Sequence, residues 1–130
     1  MDSIFHVSDG KQKMRIIIDV VPVSLNKLLR MCWAARNDYN NRWKMLVRAA
    51  IPAPQEPPAG KQSVYIAQTR RRLLDPDNLY AACKPILDAL KTWGLIADDS
   101  PAHISLTVFQ RVGKEKQTQI DIEPYEEPCG

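Results

Sequence analysis

At 130 residues, with 45% apolar side chains and 25% charged ones, the chain has the size and composition of one ordinary globular domain, spanning residues 1–130, and not those of a disordered or fibrous protein. No apolar run reaches the roughly 20 residues of a membrane-crossing helix, and the start, Met1-Asp2-Ser3-Ile4-Phe5, lacks a basic patch ahead of a hydrophobic stretch, so no membrane partner is expected. The net charge of +3 hides an asymmetry: residues 1 to 72 carry 13 Lys and Arg against 5 Asp and Glu, residues 73 to 130 carry 5 against 10.

A basic half can neutralise phosphates while an acidic half holds cations, although the same asymmetry would arise if the two halves simply attract each other in the fold. Cys32, Cys83 and Cys129 are widely separated and form no Cys-x-x-Cys pair, which suggests neither a disulfide framework nor a zinc knuckle and fits reduced thiols in a cytoplasm.

The first dozen residues are polar and irregular and are expected to be loose. Met14 to Val21 is short and β-branched, which predicts a strand, stopped by Pro22-Val23-Ser24-Leu25-Asn26. From about Ala35 to Ala50, Tyr39, Trp43, Leu46, Val47 and Ala50 recur at helical spacing, predicting an amphipathic helix with a basic wet side. Residues 52–61 hold Pro52, Pro54, Pro57, Pro58 and Gly60 and read as a loop. Ser63 to Arg71 alternates as a second strand. Asp77 to Trp93 reads as one helix, kinked by Pro85 and closed by Gly94. Ala102 to Val112 and Gln117 to Glu123 read as a terminal hairpin across Gly113-Lys114-Glu115-Lys116. The order β-α-β-α-β-β predicts a small α+β domain: a mixed β-sheet, two main helices, packed on one face.

The chemistry gathers at two acidic turns, Leu74-Asp75-Pro76-Asp77-Asn78-Leu79 and Ala97-Asp98-Asp99-Ser100. Like charges drawn together need a cation, commonly a divalent metal. Each turn alone is more often a helix cap or a solvated bend, Asp being favoured at helix starts. The two could meet only if the chain folds back, because a helix of about 17 residues runs about 25 Å. A calcium loop of the EF-hand kind starting at Asp75 is excluded by Leu79 and Tyr80 where an oxygen ligand and a glycine belong. Magnesium or manganese, satisfied by few carboxylates plus waters, suits the pattern better.

Arg72-Leu-Leu-Asp75-Pro-Asp77-Asn78-Leu79, then Lys84-Pro-Ile-Leu-Asp88-Ala-Leu90, then Gly94-Leu-Ile-Ala-Asp98-Asp99-Ser100 resembles the RusA family of Holliday-junction resolvases, common in phages and prophages. The likeness covers Arg70 to about Asp121, and Pro22-Val23-Ser24-Leu25-Asn26 is similar to the family's N-terminal Pro-Pro-Ser-x-Asn with Val23 in place of a proline. The resemblance implies a homodimeric, Mg²⁺-dependent endonuclease that binds four-way or branched DNA and nicks two opposed strands. Its catalytic carboxylates would be Asp75, Asp77 and Asp99, holding one or two Mg²⁺ (or Mn²⁺) ions, with Asn78 and Asp98 in support. The family's lysine maps to Lys84 only across three extra residues, since the best-known member places it where this chain has Ala81; three residues are close to one helical turn. Without the likeness, Lys84 would be read as an i,i+4 partner of Asp88.

Arg70, Arg71 and Arg72, immediately before the acidic turn, are candidates for DNA phosphate contacts, or a guard on a strand edge. Lys27, Arg30, Arg36, Arg42, Lys44 and Arg48 are candidates for the rest of that surface. Trp43 and Trp93 sit on apolar helical faces and read as core or interface, while Trp33 stays open. His6 and His103 match no histidine-metal nuclease pattern and read as structural. Two other classes remain: a non-catalytic module that recognises branched DNA by shape, and a metal-dependent phosphohydrolase of small substrates, disfavoured by the lack of a nucleotide-binding loop.

Overall fold

The computed structural model describes residues 4–8 and 11–126, with side chains from residue 13 onward. Among the described residues nine elements follow one another: β1 (Ile4–Ser8), β2 (Lys11–Ile18), α1 (Leu25–Arg30), α2 (Trp33–Ala50), β3 (Gln62–Arg70), α3 (Pro76–Ala81), α4 (Lys84–Thr92), β4 (Ile104–Val112) and β5 (Gln117–Pro124). The strands form one mixed sheet in the order β1-β2-β5-β3-β4, with β3 and β4 parallel and the other neighbours antiparallel. The domain is α+β, as the element pattern predicts.

Strand alternation sends every second residue to one face. Register stacks those residues into rows across the sheet: Met14, Ile122, Val64 and Leu106, then Ile16, Ile120, Ile66 and Val108. Ile16, Val64, Ile66 and Ile120 are fully buried there. Trp43, Val47 and Ala50 of α2 and Ile86, Leu87 and Leu90 of α4 cover these rows. Each such aliphatic side chain withdrawn from water contributes about 1.5–3 kcal/mol, which makes this layer the main source of stability. The opposite face, with Arg15 paired to Asp121 at 2.8 Å and Phe109 half-exposed, stays open.

Four expectations change. Residues 4–8 and 11–12 of the first dozen are strand, β1 pairing antiparallel with β2 from Ile4 opposite Arg15 to Ser8 opposite Lys11; residues 1–3 and 9–10, the His6 side chain and Cys129 lie outside the described residues. The segment after Pro22 does not merely stop a strand: Ser24 caps α1, its Oγ accepting from the Lys27 amide at 3.3 Å. The single kinked helix is two helices, because Pro85 offers no amide to the Ala81 carbonyl and the chain turns at Ala82 and Cys83 before α4 begins.

The fourth concerns topology. β4 and β5 are not a hairpin, since both pair with β3, one on each side. They run antiparallel to each other only because one is parallel and the other antiparallel to the strand between them. Crossing two strand spacings takes about 10 Å, which Gly113 to Lys116 span, passing over the end of β3. The Gly113 amide donates to the Arg70 carbonyl at 2.8 Å, pinning the crossing.

The end of α4 follows the chain's own signal. Gly94 has φ 78°, the left-handed conformation glycine adopts without strain. The Leu95 amide donates to the Leu90 carbonyl at 2.9 Å and the Gly94 amide to the Lys91 carbonyl at 3.2 Å, the paired bonds of a Schellman terminus. Buried Leu90 and Leu95 belong to the core at this corner, and the chain then turns back toward Asp98 and Asp99.

Candidate functional site

β3 delivers the acidic turn. Gln110 of β4 holds it: its Oε1 accepts from the Leu74 amide at 2.9 Å and its Nε2 donates to the Leu74 carbonyl at 2.6 Å, so the residue before Asp75 is clamped to the sheet. Asp75 then caps α3. Its Oδ1 accepts from the Asn78 amide at 2.9 Å and its Oδ2 from Asn78 Nδ2 at 3.3 Å. Pro76 at the first helical position has the right φ and no amide to orphan. Capping is thus a real role of Asp75, and Asn78 fixes its carboxylate. Two accepted bonds still leave lone pairs open on a carboxylate with about four acceptor sites. Asp77, in the first turn of α3, is exposed, and its side chain makes no hydrogen bond or ion pair among the described residues.

Lys84, first residue of α4, reaches the second turn. Its Nζ donates to Asp99 Oδ2 at 2.5 Å and also pairs with Asp88 at 3.2 Å, so the i,i+4 bridge forms and is joined by a contact to the second acidic turn. Lys91 pairs with Asp98 at 3.6 Å. The bond to Asp99 raises the Lys84 amine above its ordinary value and lowers the Asp99 carboxyl below its own, so both are charged at neutral pH. The stability that Asp99 draws from the pair is present above its unfolded value near 3.8 and lost as pH falls through the lower folded value; that of Lys84 is present below 10.5 and lost as pH rises through the raised one.

The three aspartates do not form one donor set within the chain as it stands. Among the described residues no group of three His, Cys, Asp or Glu lies close enough to hold a metal ion. Asp75 and Asp77 share one turn and by chemistry suit Mg²⁺, which takes one or two carboxylates and keeps its waters. Asp99 is held by Lys84 instead.

Arg70 leaves the set of DNA-contacting candidates. Strand phase turns it inward, where it is buried: Nε donates to Gln68 Oε1 at 2.8 Å and Nη2 to the Pro22 carbonyl at 2.6 Å. Burial lowers its pKa, yet an arginine stays protonated. Gln68 donates in turn to Cys83 Sγ at 3.2 Å, so this polar chain ties the segment before α1 and the α3–α4 turn to the end of β3, directly beneath the acidic turn. Arg71, Arg72, Lys27 and Arg30 are exposed and Lys44 half-buried, its carbonyl accepting from Trp93 Nε1 at 2.7 Å. Trp43 is core, Trp93 is partly buried against it with Arg48 over its ring, and Trp33 is exposed at the start of α2. His103 Nδ1 meets Ser100 Oγ at 2.8 Å, a turn contact.

Burial pushes the Cys83 thiol up to about 12, whereas Cys32 is exposed. Because only the thiolate is nucleophilic, iodoacetamide is expected to label Cys32 in the native protein and Cys83 only after unfolding, read by peptide mass spectrometry; native labelling of Cys83 would contradict the packing described.

Sequence reasoning missed Arg111, Lys114 and Lys116. They line a concavity with Arg71 at the end of the sheet that carries the acidic turn. The signal, two lysines in a four-residue loop, was visible, but a hairpin turn gave no reason to place it beside β3. Among the described residues no helix is long and apolar enough to cross a membrane. No protein-family model matches the chain, and no curated protein matches it at a significant level.

Proposed function

We propose that this chain is a divalent-metal-dependent, structure-selective DNA endonuclease of the RusA kind, a cytoplasmic homodimer that resolves four-way junctions by paired nicks. The observation that carries the reading is the contact between Lys84 and Asp99, 15 residues apart, made by a lysine whose helix begins just past the one started by Asp75 and Asp77. Residues that the resemblance selects in two separate motifs are thereby in contact, and the third motif opens the helix that precedes this lysine.

Within that reading Asp75 and Asp77 hold Mg²⁺, Asn78 keeps the Asp75 carboxylate oriented, and Lys84 neutralises charge on the scissile phosphate while Asp99 aims its amine. The ion, when bound, supplies Lewis acidity and charge neutralisation at the phosphodiester. Arg71 and Arg72 grip the flanking backbone.

The test is a labelled synthetic four-way junction incubated with the protein with and without Mg²⁺ or Mn²⁺. Paired nicks in opposed strands only when metal is present are expected; binding without cutting in either metal would overturn the nuclease. That outcome would favour the second reading, a branched-DNA binding module, to which Asp75's capping role and the divided carboxylates lend support.

A further inference from the structure

The crossing loop between β4 and β5 has a consequence for what the molecule can hold. It brings Lys114 and Lys116 beside Arg111 at the end of β4 and Arg71 just past β3, in a groove of about 870 Å³ that also contains Asp19 and Glu115. Four cations from two separate stretches of chain face two carboxylates, and none of the four is in an ion pair among the described residues. Arg111 is held in place, its Nε donating to Thr69 Oγ1 at 3.1 Å. The loop is equally restrained: Gly113 is tied to Arg70 and lies so near the Thr69 methyl that a Cβ would come within 2.4 Å of it. The two positive charges in excess there repel, and a polyanion relieves that repulsion.

The groove does not end there. A second concavity shares Thr69, Arg111 and Gln117 with it and runs on past Phe109 and Gln119 over the open sheet face. A track of that kind fits a polymer better than a single anion. We propose that this groove binds the phosphodiester backbone of a duplex nucleic-acid arm, reading its charge and shape and not its bases. The proposal rests on the nucleic-acid reading above and adds a contact surface on the open face of the sheet, where Thr69, Arg111 and Gln117 share one row.

The experiment measures binding of a fluorescein-labelled duplex and a four-way junction in EDTA, over a salt series, by wild type and by the triple variant Arg111→Gln, Lys114→Gln, Lys116→Gln. Affinity is expected to fall at least about tenfold, and the slope of log K against log salt to become shallower by about 2–3, since each lost phosphate contact removes roughly 0.9. Unchanged affinity and slope, with wild type binding normally, overturns the groove and leaves the endonuclease reading standing. Wild type that binds neither DNA overturns both. Polyglutamate competing as well as duplex at equal charge also overturns it, in favour of an acidic polypeptide. Should the triple variant melt well below wild type, Lys116→Glu alone, in the exposed loop, is read instead: a shallower slope supports the groove and an unchanged one overturns it.

Discussion

Replacing Gly94 with alanine is expected to lower the melting temperature by roughly 10–20 °C, the signature of a loss of roughly 3–5 kcal/mol in a chain of this length. Two effects add. The residue sits at φ 78°, where an L side chain costs about 1–2 kcal/mol. The larger effect is steric: a Cβ there would lie 1.8 Å from the Gln55 carbonyl oxygen and 2.7 Å from its carbon, both backbone atoms. The proline-rich loop would have to move away, and with it goes the bond from the Gln55 amide to the Trp93 carbonyl at 2.8 Å. Gly94→Asn separates the two effects. Asparagine tolerates the left-handed conformation, so if backbone strain were dominant it would recover most of the stability. The contact distances say that it does not, and a thermal melt of Gly94→Asn close to wild type would refute the steric account.

The same corner shows which features a linear reading reaches. Gly94 after an apolar helix is a local signal, and its conformation follows from the residue itself. The stripe of Tyr39, Trp43, Val47 and Ala50 is also local, because helical periodicity is a property of neighbours in sequence; of these, Trp43, Val47 and Ala50 are core and Tyr39 packs against it, its hydroxyl accepting from the Val23 amide at 2.9 Å. The direction of Arg70 depended on strand phase, and a register one residue off reverses every side chain of a strand. Three adjacent arginines offered no apolar landmark to set that phase. The pairing of β4 and β5 with β3 was beyond local reading altogether: two antiparallel strands joined by four residues look like a hairpin whether or not a third strand lies between them. Missing that strand hid the approach of Lys114 and Lys116 to Arg71.

The acidic turns were legible as residues but not as an arrangement, for a related reason. Asp75 and Asp77 share one turn, so their proximity is local. The approach of Asp99 to Lys84 requires the turn at Gly94 to send the chain back along α4, and it is a tertiary contact. Splitting the helix at Ala82 and Cys83 matters here as well, since Pro85 leaves Lys84 at the first position of a new helix and free of the geometry α3 would impose.

Asp77→Asn is expected to reduce metal-dependent junction nicking about 100-fold or more, the scale typical of losing one group that stabilises charge in a transition state, while junction binding in EDTA is unchanged. The stability change should be small, because Asp77 is exposed and contributes only the favourable position of a carboxylate near a helix start, about 0.3–1 kcal/mol. Lys84→Ala tests the other half of the site. If Lys84 acts only as a surface bridge to Asp88 and Asp99, its removal alters stability by about 1 kcal/mol or less and leaves nicking alone. If it serves the phosphate, the maximal rate falls. In addition, loss of its positive charge beside the carboxylates lowers the Mg²⁺ concentration needed for half-maximal activity. A lower maximal rate reached at lower Mg²⁺ is a combination that a structural bridge does not produce. Rates measured across a magnesium titration for wild type, Asp77→Asn and Lys84→Ala therefore decide the roles separately, and an Asp77→Asn protein that cuts at the wild-type rate would remove the acidic turn from the chemistry.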